Sequence, residues 1–292
     1  MKKIGFLGLG VMGLPMALNV LKKSGYPVLG FDVAQARLDQ FAAAGGETTS
    51  DPVDIYKTCD VIMQMLPTHP IIINSIKQAV QYGKPGNIIL DLDSTAPDII
   101  QELYPEVEAA GMHLLDSPVS GGKTGADAGT LVIMCGGDFE TFEAVRPYLE
   151  MMGKTVTYMG PSGCGSAAKV ANNMMVGIHL VAMGEAFAFA KKAGLAPKTL
   201  FDAIKGGFAQ SAVMDLKVPK ILERDFSATA RIAVHLKDEN NALEMAEHLG
   251  VDLPMTKIVK EQMEYMKANG MVDEDQCALV KYYEHTMGVE VK

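Results

Sequence analysis

Residues 8–13, Gly8-Leu9-Gly10-Val11-Met12-Gly13, set three glycines in the pattern G-x-G-x-x-G. An apolar run that reads as a strand (3–8) precedes them, and an amphipathic stretch that reads as a helix (12–25) follows. A strand that turns sharply into a helix over such glycines leaves the N–H groups of the helix start pointing outward, where they can hold a pyrophosphate. Gly8 permits the tight turn, Gly10 lets backbone approach the phosphates, and Gly13, with Ala17 one turn on, lets the helix lie close on the strand. Asp32, 19 residues after Gly13, ends the next apolar run (27–32), where a carboxylate can accept hydrogen bonds from a ribose diol and would repel a 2′-phosphate. The residues that follow, Val33, Ala34 and Gln35, bring no base. The motif in this context reads as a dinucleotide site built on Gly8, Leu9, Gly10, Val11, Met12, Gly13 and Asp32, with NAD favoured over NADP. A glycine-rich turn in an unrelated α/β protein is the rival reading. Arg37 is a base within reach of a phosphate or a solvated helix residue.

The rest of the first half alternates short apolar runs with helical patterns. Strands are expected over 60–66, 87–92, 112–118 and 130–137, and helices over 35–43, 70–82, 96–111 and 138–151. That order implies a mainly parallel, doubly wound α/β sheet. Ligands bind beyond the carboxyl ends of such strands. This puts Leu66 and Pro67 against the cofactor and Thr95 within bonding reach of it or of substrate, although Ser94 or Thr95 could equally cap the helix that follows. After the turn-rich stretch 159–165 the strand signals stop, and helices are expected over 165–192, 197–205, 231–248, 254–268 and 275–287. The expected organisation is a dinucleotide-binding domain over 1–163 and an all-helical domain over 164–292, joined by a long helix.

Composition narrows the function. A formal net charge of -9 argues against nucleic acid and anionic membrane surfaces as partners. The four cysteines have no C-x-x-C spacing, so they read as reduced thiols of a cytoplasmic protein rather than zinc ligands or a disulfide framework. No cluster of His, Asp and Glu has metal-ligand spacing, and no G-x-S-x-G elbow suggests a serine hydrolase. Glycines break the apolar N-terminal run, so it does not read as a signal peptide. Lys169, Asn172, Asn173, His179 and Glu185 interrupt the long helix, so it does not read as a membrane span. Its length and apolarity suggest a homodimer or homotetramer.

Two further stretches could carry chemistry. Ser120, Gly121 and Gly122 follow a buried strand, and could present a hydroxyl and consecutive N–H groups to an anion or form an ordinary hairpin-like loop. Lys169 stands near the start of the long helix, four residues before Asn173 and so on the same face. A lysine there either snorkels to solvent or moves a proton, its pKa lowered by desolvation and by the positive end of the helix dipole.

The stretches "GFLGLGVMGLPMALNV", "DSPVSGGKTGADAGTL" and "GSAAKVANNMM", in this order and at these separations, resemble the β-hydroxyacid dehydrogenase family, which includes 3-hydroxyisobutyrate dehydrogenase and tartronate semialdehyde reductase. The resemblance spans essentially the whole chain. It implies reversible oxidation of a 3-hydroxy acid to its semialdehyde with NAD(P), a small-molecule carboxylate substrate, Lys169 as the catalytic lysine and Asn173 as its companion. Ser120, Gly121 and Gly122 match the family's substrate loop, and Lys237 matches the lysine that reaches the cofactor region from the helical domain. The sequence after Lys237-Asp238, Glu239-Asn240-Asn241-Ala242, departs from the more apolar family pattern, which leaves substrate choice open. The alternatives are a related semialdehyde or imine reductase, or a non-catalytic cofactor-binding protein of the same fold.

Overall fold

The computed structural model describes residues 3–292. The chain divides into two compact units within a long helix, the first ending at Lys169 and the second running Val170–Lys292.

The first unit is built on one sheet. Its strands are β1 (Ile4–Leu7), β2 (Val28–Phe31), β3 (Glu47–Thr48), β4 (Val61–Gln64), β5 (Ile88–Asp91), β6 (His113–Asp116), β7 (Val119–Ser120), β8 (Leu131–Gly136) and β9 (Gly153–Gly160). The order β3-β2-β1-β4-β5-β6 is parallel throughout. β8 then runs antiparallel to β6 and β7, and β9 pairs parallel to β8. Helices α1 (Gly13–Ser24), α2 (Gln35–Ala43), α3 (Pro52–Thr58), α4 (His69–Tyr82), α5 (Pro97–Ala109), α6 (Gly122–Ala128) and α7 (Phe139–Leu149) connect the strands. Successive strand residues point to opposite faces, and both faces are apolar. Phe6, Met63 and Leu90 pack in one cluster, while Leu7, Ile62 and Ile89 pack in another. This is why the central strands read as continuous apolar runs rather than alternating ones.

Helix α8 (Cys164–Lys192) is followed by α9 (Pro197–Ile204), α10 (Ala212–Leu222), α11 (Ile232–Leu249), α12 (Pro254–Ala268), a 3₁₀ turn (Gln276–Leu279) and α13 (Val280–Met287). The second unit has no strand among the described residues. Despite its polar interruptions, α8 is long and apolar enough to cross a membrane by length and composition, with a mean hydropathy of 1.3. Its residues Leu180, Val181, Met183, Phe187 and Ala188 are buried in the helical core with Val218, Ile232, Val259 and Tyr283.

Six elements depart from the sequence reading, among them the two-residue strands β3 and β7. β9 was not anticipated, because its residues alternate between half-buried and exposed and offer no apolar run. α10 was missed because Pro219 interrupts its pattern. α3 has a local signal in the sequence: Asp51 caps it by accepting from Val53 N–H (2.9 Å), with Pro52 at the first helical position. The stretch after Ser120 is not a hairpin-like loop, since α6 begins at Gly122.

Candidate active site

The glycine turn separates into positions the fold requires and one it does not. Gly8 has φ +89, and a Cβ there would lie 2.2 Å from Met65 O. A Cβ on Gly13 would lie 1.9 Å from Gly8 O. Gly10 has neither constraint: its φ is ordinary and nothing lies within 4 Å of where its Cβ would be. The open space beside it fits a ligand that approaches the backbone closely. α1 starts there with no capping side chain and no acidic residue in its first turn, so its N–H groups are free of side-chain partners and suited to an anion. Val11 and Met12 lie on this turn, Val11 exposed and Met12 half-buried, whereas the Leu9 side chain is buried and contributes only backbone.

Asp32 ties the turn to β2. Its Oδ2 accepts from Leu9 N–H (2.7 Å) and its Oδ1 from Ala34 N–H (2.8 Å). Each carboxylate oxygen has a second acceptor site, so the group still offers acceptors to a ribose diol. Arg37 is turned along its own helix, donating to Gln40 Oε1 (3.0 Å).

At the ends of β4 and β5 a buried polar chain runs beneath the two loops. Ser75 Oγ donates to Gln64 Oε1 (2.8 Å), which commits its only proton, so Tyr56 Oη donates to Ser75 (2.9 Å). Gln64 Nε2 donates to Asp91 Oδ1 (2.9 Å), and Thr95 Oγ1 donates to Asp91 Oδ2 (2.5 Å). Asp93 Oδ1 accepts from Leu66 N–H (2.7 Å). Burial pushes the Asp91 carboxyl above the usual carboxylate range, against the hydrogen bonds of Gln64 and Thr95. Thr95 is only 2% exposed, and its hydroxyl proton is committed to Asp91, so its side chain is held inside the fold. Its neighbour Ser94 is half-buried and is the more accessible hydroxyl of the loop. Neither one caps α5, whose N-cap is Ala96 without a side-chain bond. Leu66 is half-buried and Pro67 exposed, while His69 opens α4 rather than lying in a loop.

Ser120 ends β7, half-buried, and Gly121 and Gly122 follow with φ of +131 and +59. Only glycine adopts such angles without strain. Both glycines are exposed and α6 has no side-chain cap. Lys169 is half-buried, three residues beyond Ser166 on α8.

In the second unit, Asn172 Nδ2 donates to Asn173 Oδ1 (2.9 Å), and Asn173 Nδ2 donates to Asp238 Oδ2 (2.7 Å). Lys237 Nζ lies 3.8 Å from Asp238 Oδ1. Asp238 thus orients Asn173 and stands beside Lys237, a role that its place next to Lys237 in the sequence did not reveal. Glu239, where the chain departs from the apolar pattern, is buried against Gly177 and bonds His235 (3.0 Å). Among the described residues, no three His, Cys, Asp or Glu side chains are grouped to hold a metal.

Residues 3–160 match the model of the NAD-binding domain of 6-phosphogluconate dehydrogenase. Residues 163–283 match that of the NAD-binding domain of NADP-dependent 3-hydroxyisobutyrate dehydrogenase. The chain is 34% identical to 2-(hydroxymethyl)glutarate dehydrogenase of Eubacterium barkeri, covering 99% of this chain and 97% of that protein. It is 35% identical to 2-hydroxy-3-oxopropionate reductase of Escherichia coli (strain K12), covering 97% of each. A solved structure of Mycobacterium tuberculosis 3-hydroxyisobutyrate dehydrogenase with L-serine superposes with a TM-score of 0.89 at 31% identity, over 97% of this chain and 99% of that one. The glycine turn, the doubly wound sheet and the helical second unit agree with these likenesses from end to end, and the chain belongs to the β-hydroxyacid dehydrogenase family as an NAD-binding oxidoreductase.

Proposed function

We propose that the protein reversibly oxidises the terminal hydroxyl of a short 3-hydroxy acid to the semialdehyde, on a substrate of the size of 3-hydroxyisobutyrate, glycerate or a hydroxymethyl-diacid. NAD, held by residues 8–13 and Asp32 with Leu66, Pro67 and the 94–95 loop, supplies the hydride acceptor. Lys169 Nζ takes the hydroxyl proton in oxidation and returns it in reduction. The Ser120 hydroxyl and the N–H groups of Gly121 and Gly122 bind the substrate carboxylate, and Asn173, oriented by Asp238, donates to the substrate. The observation that carries this reading is the exposed pair of positive-φ glycines after Ser120, ahead of an uncapped helix, in the same unit as the glycine turn and Lys169.

Turnover of short aldehydes with NADH tests it. Aldehydes that carry the acid group should be reduced, and a simple aldehyde of the same length should be poorer in both KM and kcat, because carboxylate binding orients the reacting carbon. Equal turnover of the two removes the anion site from the proposal. With NADPH in parallel, kcat/KM should be lower, since Asp32 repels a 2′-phosphate. Replacing Asp32→Ser with Val33→Arg should reverse that order, and a wild-type preference for NADPH would refute the role of Asp32.

The same proposal places the protein in the cytoplasm as a homodimer or homotetramer. The four cysteines are free thiols, and Met175, Phe189, Phe208 and Leu216 are exposed apolar residues of the kind an interface covers. Light scattering on the purified chain reads the assembly, and a monomer would exclude it.

A further inference from the structure

We propose that Asp116 is a positioning residue for the reaction: its carboxylate clamps the first turn of α8 and so fixes where Lys169 stands relative to the Ser120–Gly122 loop. The inference rests on the proton-transfer role proposed for Lys169.

Asp116 is the last residue of β6 and is fully buried. The chain runs on from it through Ser117 to β7 and Ser120. Its Oδ1 accepts from Gly163 N–H (2.9 Å) and its Oδ2 from Ser166 N–H (2.7 Å). These donors flank the start of α8 at Cys164. Helices are ordinarily capped by a local Ser, Thr, Asp or Asn, but α8 is not. Gly163 has no side chain and φ +86, the first turn has no acidic residue, and the Ser162 and Ser166 hydroxyls are buried without a hydrogen-bond partner. The cap comes instead from 47 and 50 residues upstream, so it joins the strand that leads into the substrate loop to the helix that carries Lys169.

Two glycines keep this junction closed. A Cβ on Gly165 would lie 2.3 Å from Asp116 O and 2.5 Å from Met134 O. A Cβ on Gly136 would lie 2.6 Å from Asp116 Oδ1 and 2.7 Å from Gly165 N. Backbone of β6, β8 and α8 therefore meets with the carboxylate at its centre. Lys169 is three residues past Ser166, one turn from the clamp, so a shift of the helix start carries the ammonium with it.

A neutral side chain could cap a helix without the cost of burying a charge. Burial pushes the Asp116 carboxyl up to about 6, against the two backbone hydrogen bonds, and Asp91 adds to the rise. Ionisable groups on the surrounding elements are Asp91, paired with Asp116 in register on β5, Cys135 on β8, and Cys164 and Lys169 on α8. Burial also raises Asp91 and Cys135, the latter to about 12. A protonated Asp116 gives up acceptor capacity to its own O–H, so the two-point clamp is complete only in the ionised form.

Asp116→Asn in the full chain tests this. Oδ1 of the amide still accepts one N–H, while its NH₂ faces the other donor. We expect kcat to fall about 10–100-fold, as for a misplaced catalytic group, with the Kd for NADH by fluorescence within about twofold and a cooperative melt retained. In the reduction direction, where the protonated Lys169 is the active form and adds no acid limb of its own, wild-type kcat should fall below about pH 6, and this acid limb should vanish in the variant. Unchanged kcat with an unchanged acid limb overturns the inference, and so does an equal loss of NADH binding and turnover, which marks a merely structural role. Should Asp116→Asn fail to fold, the wild-type chain carries the test: its NADH affinity and melt should hold while kcat falls as pH drops through about 6, and a kcat that does not change across that range overturns the inference. Lys169→Ala separates the two layers: if it turns over normally, the lysine's role fails, whereas if it is inactive and Asp116→Asn is normal, only the clamp fails.

Discussion

Lys169→Ala is expected to lower kcat by about 10²–10⁴-fold, the range for removing one general acid/base, which is about 3–5 kcal/mol of transition-state stabilisation. The binding of NADH should change little. The glycine turn and Asp32 form their contacts through Gly8, Leu9 and Ala34, and none of these involves the lysine side chain. Stability should also hold. Lys169 is half-buried on a helix whose first turn is fixed by Asp116, so alanine leaves the backbone in place and improves local helix propensity. The loss should therefore appear in kcat far more than in the Kd for cofactor. Lys169→Arg keeps the charge but does not release its proton at neutral pH, and it should be nearly as inactive as alanine. That pair separates proton transfer from simple charge. An active Lys169→Arg would make the residue an electrostatic partner of the substrate, and a normal Lys169→Ala would remove it from the reaction.

How much of this could be read beforehand depended on whether the signal was local. β1, β2, β4, β5 and β6 are largely buried, so each carries an apolar run in the sequence, with the polar residues Gln64, Asp91, His113 and Asp116 confined to strand ends. β9 lies beside β8 with alternating exposure and carries Lys154, Thr155 and Thr157, so its register exists only once β8 is beside it. The glycine turn was legible because a tight turn, a close approach and a helix start lie within six residues. For Gly8 and Gly13 the structure supplies the reason as clashes with named carbonyls.

The carboxylates that organise the site were not legible. Asp116 and Asp91 are each the last residue of an ordinary-looking strand. Their meaning depends on partners brought in by folding: Gly163 and Ser166 for the first, Gln64 for the second, 27 residues away. Asp238 acquires its role only by meeting Asn173 from 65 residues away. Thr95 shows the converse. Its place after β5 marked it as a ligand contact or a helix cap, whereas in the fold its hydroxyl turns inward to Asp91, and the sequence carries no local rule for which of two adjacent hydroxyls does so. Lys169 read two ways from its position alone. The resemblance to a family, rather than helix geometry, favoured the catalytic reading.

The two glycines of the turn that differ in their reason for being glycine give the other large effect. Gly13→Ala sets a Cβ 1.9 Å from Gly8 O, well inside van der Waals contact and against backbone that cannot rotate away. Either α1 lifts from β1 or the turn opens. Overpacking of this kind costs about 1–3 kcal/mol, and for a unit of this size each kcal/mol lowers Tm by about 2–4 °C. The N–H groups at the start of α1 move with the helix, so the Kd for NADH should rise by about 100-fold or more, the loss of two charge-assisted hydrogen bonds. Gly10→Ala meets no protein atom within 4 Å and needs no unusual φ. Its Tm should match wild type to within about 1 °C, because a compatible Gly→Ala change is neutral or slightly stabilising. Yet if the open space beside Gly10 is where the pyrophosphate approaches, its methyl group occupies that space and NADH binding should fall by a similar factor. Thermal melts and NADH titrations of the two variants make the comparison. Gly13→Ala should lose stability and binding together, and Gly10→Ala binding alone. A Gly10→Ala variant that binds NADH as tightly as wild type would place the phosphates elsewhere and leave the second glycine of the turn without a function.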